Sequence, residues 1–506
     1  MKFLKSILIV SLSTFISRLL GYVRDVIVAE KLGTGTLNDA FIAAFRLTNT
    51  FRNIFAEGAL SSVFVPEFST QLKQNGQIEG LKFASRIHSL LIIFLLLLCI
   101  LVISLMPTII WYTIPGFRSN PAMLQITVSL GRLTFPYLFC ISMAAFYGGI
   151  LNSFNKFFPF AIAPSILNIV IVFVLYFLDE FETSAHSLSV ATLLGGILEM
   201  IWMIGFMLKN NIKLEFRWIE SNSQTKKIFR NIVPIIFSSG ITHLNSWISI
   251  IFLSFFPGSM SYLYYADRIV QLPLALIGTA MVTVLLPIFS NNAKELNIRN
   301  KIKNEAINFV LMFTIPSTFG IYFLSNEIIE VLFKRGQFDA VSVINTAVVL
   351  RILVIGLPAF ILIKLFQTKF YAASNTRTPT YISLATVSLN IISTTIFIGY
   401  LGIGYLGVAL ANVLAGWANL LILSISAYKI LKFKMQDYIF SEIIKYILSS
   451  LVMVSTIYIY HYFTFYHKIN IYFSLIIKLL IGLVSYFHTC YILRVKLVRN
   501  LLYFNV

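Results

Sequence analysis

Charge is what this sequence has least of. Only 12% of its 506 residues are Asp, Glu, Lys or Arg, against roughly 25% in a soluble domain. Hydrophobic residues make up 58%, and apolar stretches of about 20 residues recur along the chain, each long enough to cross a bilayer core. A soluble fold is excluded. So is an outer-membrane barrel, whose strands would alternate over roughly ten residues. The 3 cysteines, Cys99, Cys140 and Cys490, fall inside apolar stretches without metal or disulfide spacing, and read as small core hydrophobes. No Walker A or glycine-rich nucleotide loop occurs, so ATP is not expected as the direct energy source. The 6 histidines are scattered without metal-ligand pairing, and His243 beside Asn245 reads as a polar pair inside a helix. No catalytic constellation and no cofactor are expected.

What is present is an all-α polytopic membrane protein of about fourteen transmembrane helices. The expected spans include 39–66, 88–110, 123–150, 229–256, 261–288 and 341–371, joined by short loops. The first segment, after Lys2 and Lys5, has no small-residue cleavage site behind it and reads as a retained span. The net charge of +19 needs no nucleic acid to explain it, because the basic residues sit mostly between spans. One set of connections carries Lys73, Lys82 and Arg86, then Lys209, Lys213 and Arg217, then Lys294 and Arg299, then Lys429, Lys432 and Lys434. The opposing ones are poor in basic residues or acidic, as at Asp179, Glu180 and Glu182, with Lys334 and Arg335 the exception. Both termini and the basic connections are therefore expected in the cytoplasm.

The chain also repeats itself. ALSSVFVPEFS (59–69) matches AMVTVLLPIFS (280–290), Pro136 falls opposite Pro358, and SILNI (165–169) pairs with VSLNI (387–391), all at offsets of 221 or 222 residues. An offset covering six spans implies two parallel six-helix lobes plus two C-terminal helices. The expected division is a first lobe at 1–210, a basic cytoplasmic linker at 211–228, a second lobe at 229–430 and the two additional helices at 431–506.

Ionisable groups within spans are costly, about 2.5–3.5 kcal/mol each at bilayer depth, and mark candidate function. The first span carries Arg18, Arg24 and Asp25, and the second carries Asp39, Arg46, Arg52 and Glu57. Asp267 and Arg268 enter the eighth. The excess is cationic. Arginine offers phosphate a planar, bidentate fork, whereas a proton or metal pathway would favour carboxylates. The competing reading is structural: Arg24, Asp25 and Asp39 lie near span ends, where pairs tie helices together and arginine snorkels. Asp39 and Arg46 share a helix face and are candidates for such a pair. Lys364 faces either a polar cavity or the membrane surface. Gly21, Gly58, Gly278, Pro66, Pro273 and Pro287 permit bends in these spans.

SRLLGYVRD (17–25), NDAFIAAFRLTNTFRNIFAEGALSSVFVPEF (38–68), YYADRIVQLPLALIGTA (264–280) and FYAASNTRTP (370–379) resemble the MurJ/MviN family of bacterial lipid II flippases, part of the MOP transporter superfamily. The resemblance implies a multi-pass protein of the bacterial plasma (inner) membrane. Its cargo would be lipid II, the undecaprenyl-diphosphate-linked disaccharide-pentapeptide, moved to the outer leaflet by alternating access. By motif, Arg18, Arg24, Arg52 and Arg268 correspond to substrate-binding arginines of the family's central cavity. Asp25 and Asp39 correspond to acids that order those arginines and the gate, with Glu57 in a supporting role. The two extra helices match a groove for the lipid tail. Family members with a sodium site place acids in the second lobe, where Asn245, Asn375 and Asn390 stand here. The energy source is left between a coupling monovalent cation and the membrane potential. Membrane lipids and cell-wall synthesis proteins are the implied partners, and a monomer is expected. The rivals are a flippase for another polyprenyl-diphosphate glycan, a MATE-like exporter, and a membrane scaffold for cell-wall enzymes.

Overall fold

The computed structural model describes residues 2–217, 244–279, 296–373, 375–431, 436, 438–467 and 470–502; within these, side chains are described except at 2–8, 56–61, 279, 296–303, 431, 464–467 and 500–502. Regular structure among the described residues is helical throughout. Among the described residues nine helices are long and apolar enough to cross a membrane, and a bent pair makes a tenth. The chain is an all-α polytopic membrane protein. Apolar side chains such as Leu97, Ile100, Leu101, Tyr458 and Leu483 point outward, as they must where the solvent is lipid.

By compactness the chain divides into two units: Met1–Ser261 with Arg335–Phe338, and Tyr262–Lys334 with Asp339–Val506. In the first, α1 runs Lys2–Leu32, α2 Thr36–Arg52 and α3 Val65–Thr113, with a π-helical stretch Asn53–Phe64 between the last two. Then come α4 (Pro121–Thr134), α5 (Tyr137–Ser153), α6 (Phe158–Phe177), α7 (Ser184–Lys209) and α8 (Leu244–Leu253). α1 ends because Gly33 takes φ 58° and its N–H bonds the Ala29 carbonyl at 2.9 Å, a left-handed cap that glycine adopts without strain. A side chain on Gly33 would strike the Gln337 carbonyl, and one on Gly336 (φ 50°) would strike that of Glu30. The Gln337 N–H donates to Glu30 O at 2.8 Å, so the turn at 335–338 lies directly on the end of α1.

The connection holding Lys73, Lys82 and Arg86 is helical rather than a loop. α3 has 49 residues and is interrupted at Gly76 (φ 78°); at 1.5 Å per residue it far exceeds a bilayer core. Its first part is an amphipathic segment where Lys82 pairs with Glu79 at 2.6 Å. The core beside it is aromatic, with Phe64 packed on Phe68, Phe83 and Phe146.

In the second unit α9 spans Ser259–Pro273, its first turn lying in the first unit, and continues as a π-helix over Leu274–Thr279. α10 (Leu296–Phe333), α11 (Ala340–Ile355), α12 (Leu357–Ala372), α13 (Arg377–Thr395), a π-helical turn Ile396–Tyr400 and α14 (Leu406–Leu431) follow. α15 (Tyr438–His467) and α16 (Ile471–Ile492) pack on each other and on α10, before the short α17 (Lys496–Leu502). One of the expected spans is broken: the 341–371 span bends by 43° between α11 and α12, where Gly356 precedes Pro358. The 123–150 span carries a two-residue turn at Phe135–Pro136 but runs on as one segment, Pro121–Ser153. Proline removes a backbone donor and clashes with the preceding turn, which interrupts the hydrogen-bond ladder at both places.

Candidate functional site

The candidate residues of the first unit lie on α1 and α2. Arg18 is exposed on α1, and Arg24, six residues on, is half-buried. The Arg24 guanidinium donates to Asp25 Oδ1 from Nε (3.1 Å) and Nη2 (2.7 Å), and from Nη1 to Asn168 Oδ1 at 3.0 Å. Asn168, on α6, in turn donates to the Ser17 carbonyl at 3.2 Å. Arg24 is thus held at a fixed place on the α1–α6 contact by one carboxylate and one amide. Asp25 and Asn168 are buried. In the sequence Asn168 stands out only as a repeat partner of Asn390.

Arg52 closes α2, where the π-helix begins. Its Nε donates to Asn49 Oδ1 and its Nη2 to Asn53 Oδ1, both at 2.9 Å. These two neutral amides help to orient the guanidinium. Glu57 lies on the π-helix, and its side chain is outside the described residues.

Asp39 does not pair with Arg46, although the two share a face of α2. Its carboxylate is 1% exposed and accepts from the Gly258 N–H at 2.7 Å, the Ser261 N–H at 2.8 Å and the Ser261 hydroxyl at 2.6 Å. Those donors open α9, whose first backbone N–H groups have no partner within their own helix. A carboxylate from α2 therefore caps α9, with the favourable sign for the helix dipole. Trp247 of α8 donates to Thr50 of α2 at 3.0 Å, which ties the same neighbourhood together.

In the second unit Arg268 is exposed on α9. Its Nη2 donates to the Tyr264 hydroxyl at 2.8 Å, and its guanidinium carbon lies 4.7 Å from the centre of that ring. Asp267 accepts from Gln271 instead, at 3.1 Å. Lys364 is half-buried on α12 against Gly278 of the π-helix.

Of the asparagines standing where a sodium site would have acids, Asn390 is fully buried and donates to Asn412 at 2.8 Å. Asn375 accepts from the Thr378 N–H at 3.1 Å. Among the described residues no three His, Cys, Asp or Glu side chains gather as a metal site. His243 lies outside the described residues. The cysteines are free and buried.

Two groups escaped the sequence reading. Glu199, on α7, is 1% exposed; its signal was a single acid in the apolar run GGILEMIWM. Lys478 on α16 is 2% exposed and donates to both oxygens of Glu327 on α10, at 2.8 and 2.9 Å, and to His461 Nδ1 on α15 at 2.7 Å.

A family model described as lipid II flippase MurJ matches residues 28–481. A probable lipid II flippase MurJ of Rickettsia prowazekii (strain Madrid E) is 38% identical over 393 residues, 77% of this chain and 77% of the relative. Among solved structures, a lipid II flippase MurJ in an inward closed conformation is similar with a TM-score of 0.81 at 30% identity, covering 98% of this chain and 100% of that one. An inward-facing multidrug resistance MATE family transporter of the MOP superfamily shares the fold, with a TM-score of 0.67 at 16% identity over 85% of this chain and 99% of that one.

Proposed function

The chain belongs to the lipid II flippase MurJ family, and from that premise we propose that it carries lipid II from the inner to the outer leaflet of the bacterial plasma membrane. The family is one of transporters, and no bond in the cargo is made or broken. The observation that carries the reading is the arginine set. Arg24 is oriented by Asp25 and Asn168, and Arg52 by two neutral amides. Guanidinium groups fixed in place before the ligand arrives suit a diphosphate, since little side-chain freedom is lost on binding. In this reading Arg18, Arg24, Arg52 and Arg268 hold the diphosphate-sugar headgroup, and Asp25 and Glu57 support them. The polyprenyl tail stays in lipid or along α15 and α16.

The mechanism is alternating access between six-helix lobes at 1–210 and 229–430, with a linker at 211–228 and two further helices at 431–506. Fourteen spans in all then put both termini in the cytoplasm. Three local features support the repeat: π-helices that begin at Asn53 and at Leu274, helix interruptions at Pro136 and just before Pro358, and buried amides at Asn168 and Asn390. Each pair is separated by 221 or 222 residues. The Asp39 cap on α9 acts as a gate that opens when α9 moves. An empty cationic cavity responds to the membrane potential, at about 2.3 kcal/mol per charge per 100 mV, which supplies a return step without a coupling ion.

Depletion in a cell that relies on this protein, followed by measurement of which lipid-linked precursor accumulates on the cytoplasmic leaflet, tests the cargo. Inward-facing lipid II should accumulate. Another polyprenyl-linked glycan in its place would transfer the assignment to that cargo, and unchanged precursor pools would favour a scaffold.

A further inference from the structure

One cation at bilayer depth takes no part in the site described above. Arg132 lies eleven residues past the start of α4, about 16 Å along the helix at 1.5 Å per residue, within the apolar segment Pro121–Ser153. Pro107, inside α3, has no N–H to offer the Ile103 carbonyl four residues before it. Arg132 Nε donates to that oxygen at 3.3 Å, a long bond by the usual standard. Among the described residues it is the only hydrogen bond of Arg132, and no carboxylate pairs with the guanidinium. Beside it lies an open cavity of about 480 Å³, walled by Pro107 and by Leu124, Gln125, Val128, Ser129 and Arg132. Ser129 is engaged by His186 of α7 at 3.2 Å. Gln125 and Arg132, seven residues apart and so on one face of α4, are both exposed.

The end of α3 marks the membrane surface on this side. Trp111 and Tyr112 are exposed there, and the Arg118 guanidinium lies 5.0 and 5.9 Å from their ring centres, the kind of aromatic belt that sits where hydrocarbon gives way to headgroups. Ile103 is eight residues deeper than Trp111, about 12 Å. Helical side chains lean toward the N-terminus of their helix, so the stem of Arg132 runs back toward that belt, and Gln125 stands two turns closer to it. An exposed guanidinium at this depth is costly unless an anion or water reaches it.

We propose that the α3–α4 cavity binds the phosphate of an anionic membrane glycerophospholipid, with Arg132 as its charge partner and Gln125 as a second donor. The two terminal nitrogens of the guanidinium match two phosphate oxygens. Leu96 and Ile100, both exposed, continue the row of Ile103 and Pro107 into the membrane and give an acyl chain its bed. The bound lipid braces α3 against α4 where Pro107 opens the helical ladder. In the topology proposed above this is the outer leaflet, and the chemistry of the site does not depend on that assignment.

Native mass spectrometry of the full-length protein, titrated with phosphatidylglycerol or phosphatidylcholine, counts the lipids that stay bound. Phosphatidylglycerol should bind the wild type more tightly than phosphatidylcholine, and Arg132→Gln should weaken its tightest site at least fivefold. Arg132→Lys should restore part of the loss, and Lys209→Gln, at the other end of α7, should stay within twofold of wild type. Phosphatidylglycerol should raise the unfolding temperature of the wild type and not that of Arg132→Gln. Equal affinity in wild type and Arg132→Gln, no preference for phosphatidylglycerol, or an equal loss in Lys209→Gln overturns the site. Displacement of phosphatidylglycerol by lipid II, in the wild type but not in Arg132→Gln, would give the cavity to the cargo and overturn the membrane lipid as its occupant. If Arg132→Gln does not fold, Gln125→Leu decides: it leaves the bond to Ile103 in place and should weaken phosphatidylglycerol at least twofold, and unchanged binding overturns the proposal.

Discussion

Replacing Asp39 with alanine should destabilise the protein by about 2–4 kcal/mol, and the structure shows why. The carboxylate satisfies two backbone N–H groups and one hydroxyl at 2.6–2.8 Å, in a site where only 1% of the residue is exposed. Alanine leaves both N–H groups buried without an acceptor, at roughly 1–3 kcal/mol each. Part of that is offset, because the burial cost of the carboxylate itself disappears. Asp39→Asn keeps one acceptor oxygen but loses the charge that favours the start of α9, worth up to about 2 kcal/mol in a partly buried site. Its cost should be about 1–2 kcal/mol. Denaturant unfolding in nanodiscs, followed by tryptophan fluorescence, measures both; Trp247 sits on the neighbouring α8 and reports locally. An Asp39→Ala protein within about 0.5 kcal/mol of wild type would refute the capping argument, using the ordinary scatter of neutral substitutions as the yardstick. So would an asparagine variant less stable than the alanine one.

Gly336→Ala should lower the unfolding temperature well beyond Gly76→Ala: both glycines have positive φ, about 1–2 kcal/mol for an L side chain, but only at Gly336 would the new Cβ strike the Glu30 carbonyl, Gly76 having nothing within 4 Å. Lys478→Met alone should cost about 3–5 kcal/mol by leaving Glu327 without its buried partner, and Lys478→Met with Glu327→Leu should recover most of it; equal losses in the single and double variants would contradict the pairing. Asp339 caps α11 by accepting from the Ser342 N–H at 2.8 Å and its hydroxyl at 2.7 Å, and those bonds, the backbone one first, hold its carboxyl below the usual range. A lowered folded value means the stabilisation is complete above the ordinary carboxylate range near about pH 4 and fades as pH falls through the folded value. Asp339→Asn should therefore flatten the acid limb of the stability–pH curve slightly, the site being exposed, and an unchanged limb would count against the cap.

Helical membrane class was legible in the sequence because the length of an apolar run maps directly onto bilayer thickness. The bend before Pro358 is half-legible: Pro136 and Pro358 stand out as a repeat, but a continuous apolar run gives no sign that the second-unit span bends by 43°. The basic stretch around Lys82 reads as a loop in the sequence because a polar helix leaves no apolar run, although Glu79 and Lys82 already have helical spacing. Asp39 shows the limit most clearly. Its position on α2 pointed to Arg46 as the partner, but its three donors lie 219 and 222 residues away, and no local periodicity reaches that far. Arg24 was weighed as a helix tie or a ligand, and its bonds to Asp25 and Asn168 make it the first without preventing the second. Glu199 is as visible in the sequence as any of the arginines, a lone acid in an apolar helix, but its sign sets it apart from the cationic excess of the spans.

The most direct test is reconstitution of the protein into liposomes containing lipid II, with outward appearance of the headgroup followed by a membrane-impermeant probe. The wild type should translocate lipid II, and Arg24→Ala and Arg52→Ala should each slow it at least tenfold, the equivalent of about 1.4 kcal/mol in the transition state, while remaining folded. Translocation at the wild-type rate in both folded variants would contradict the assignment of these arginines to the headgroup.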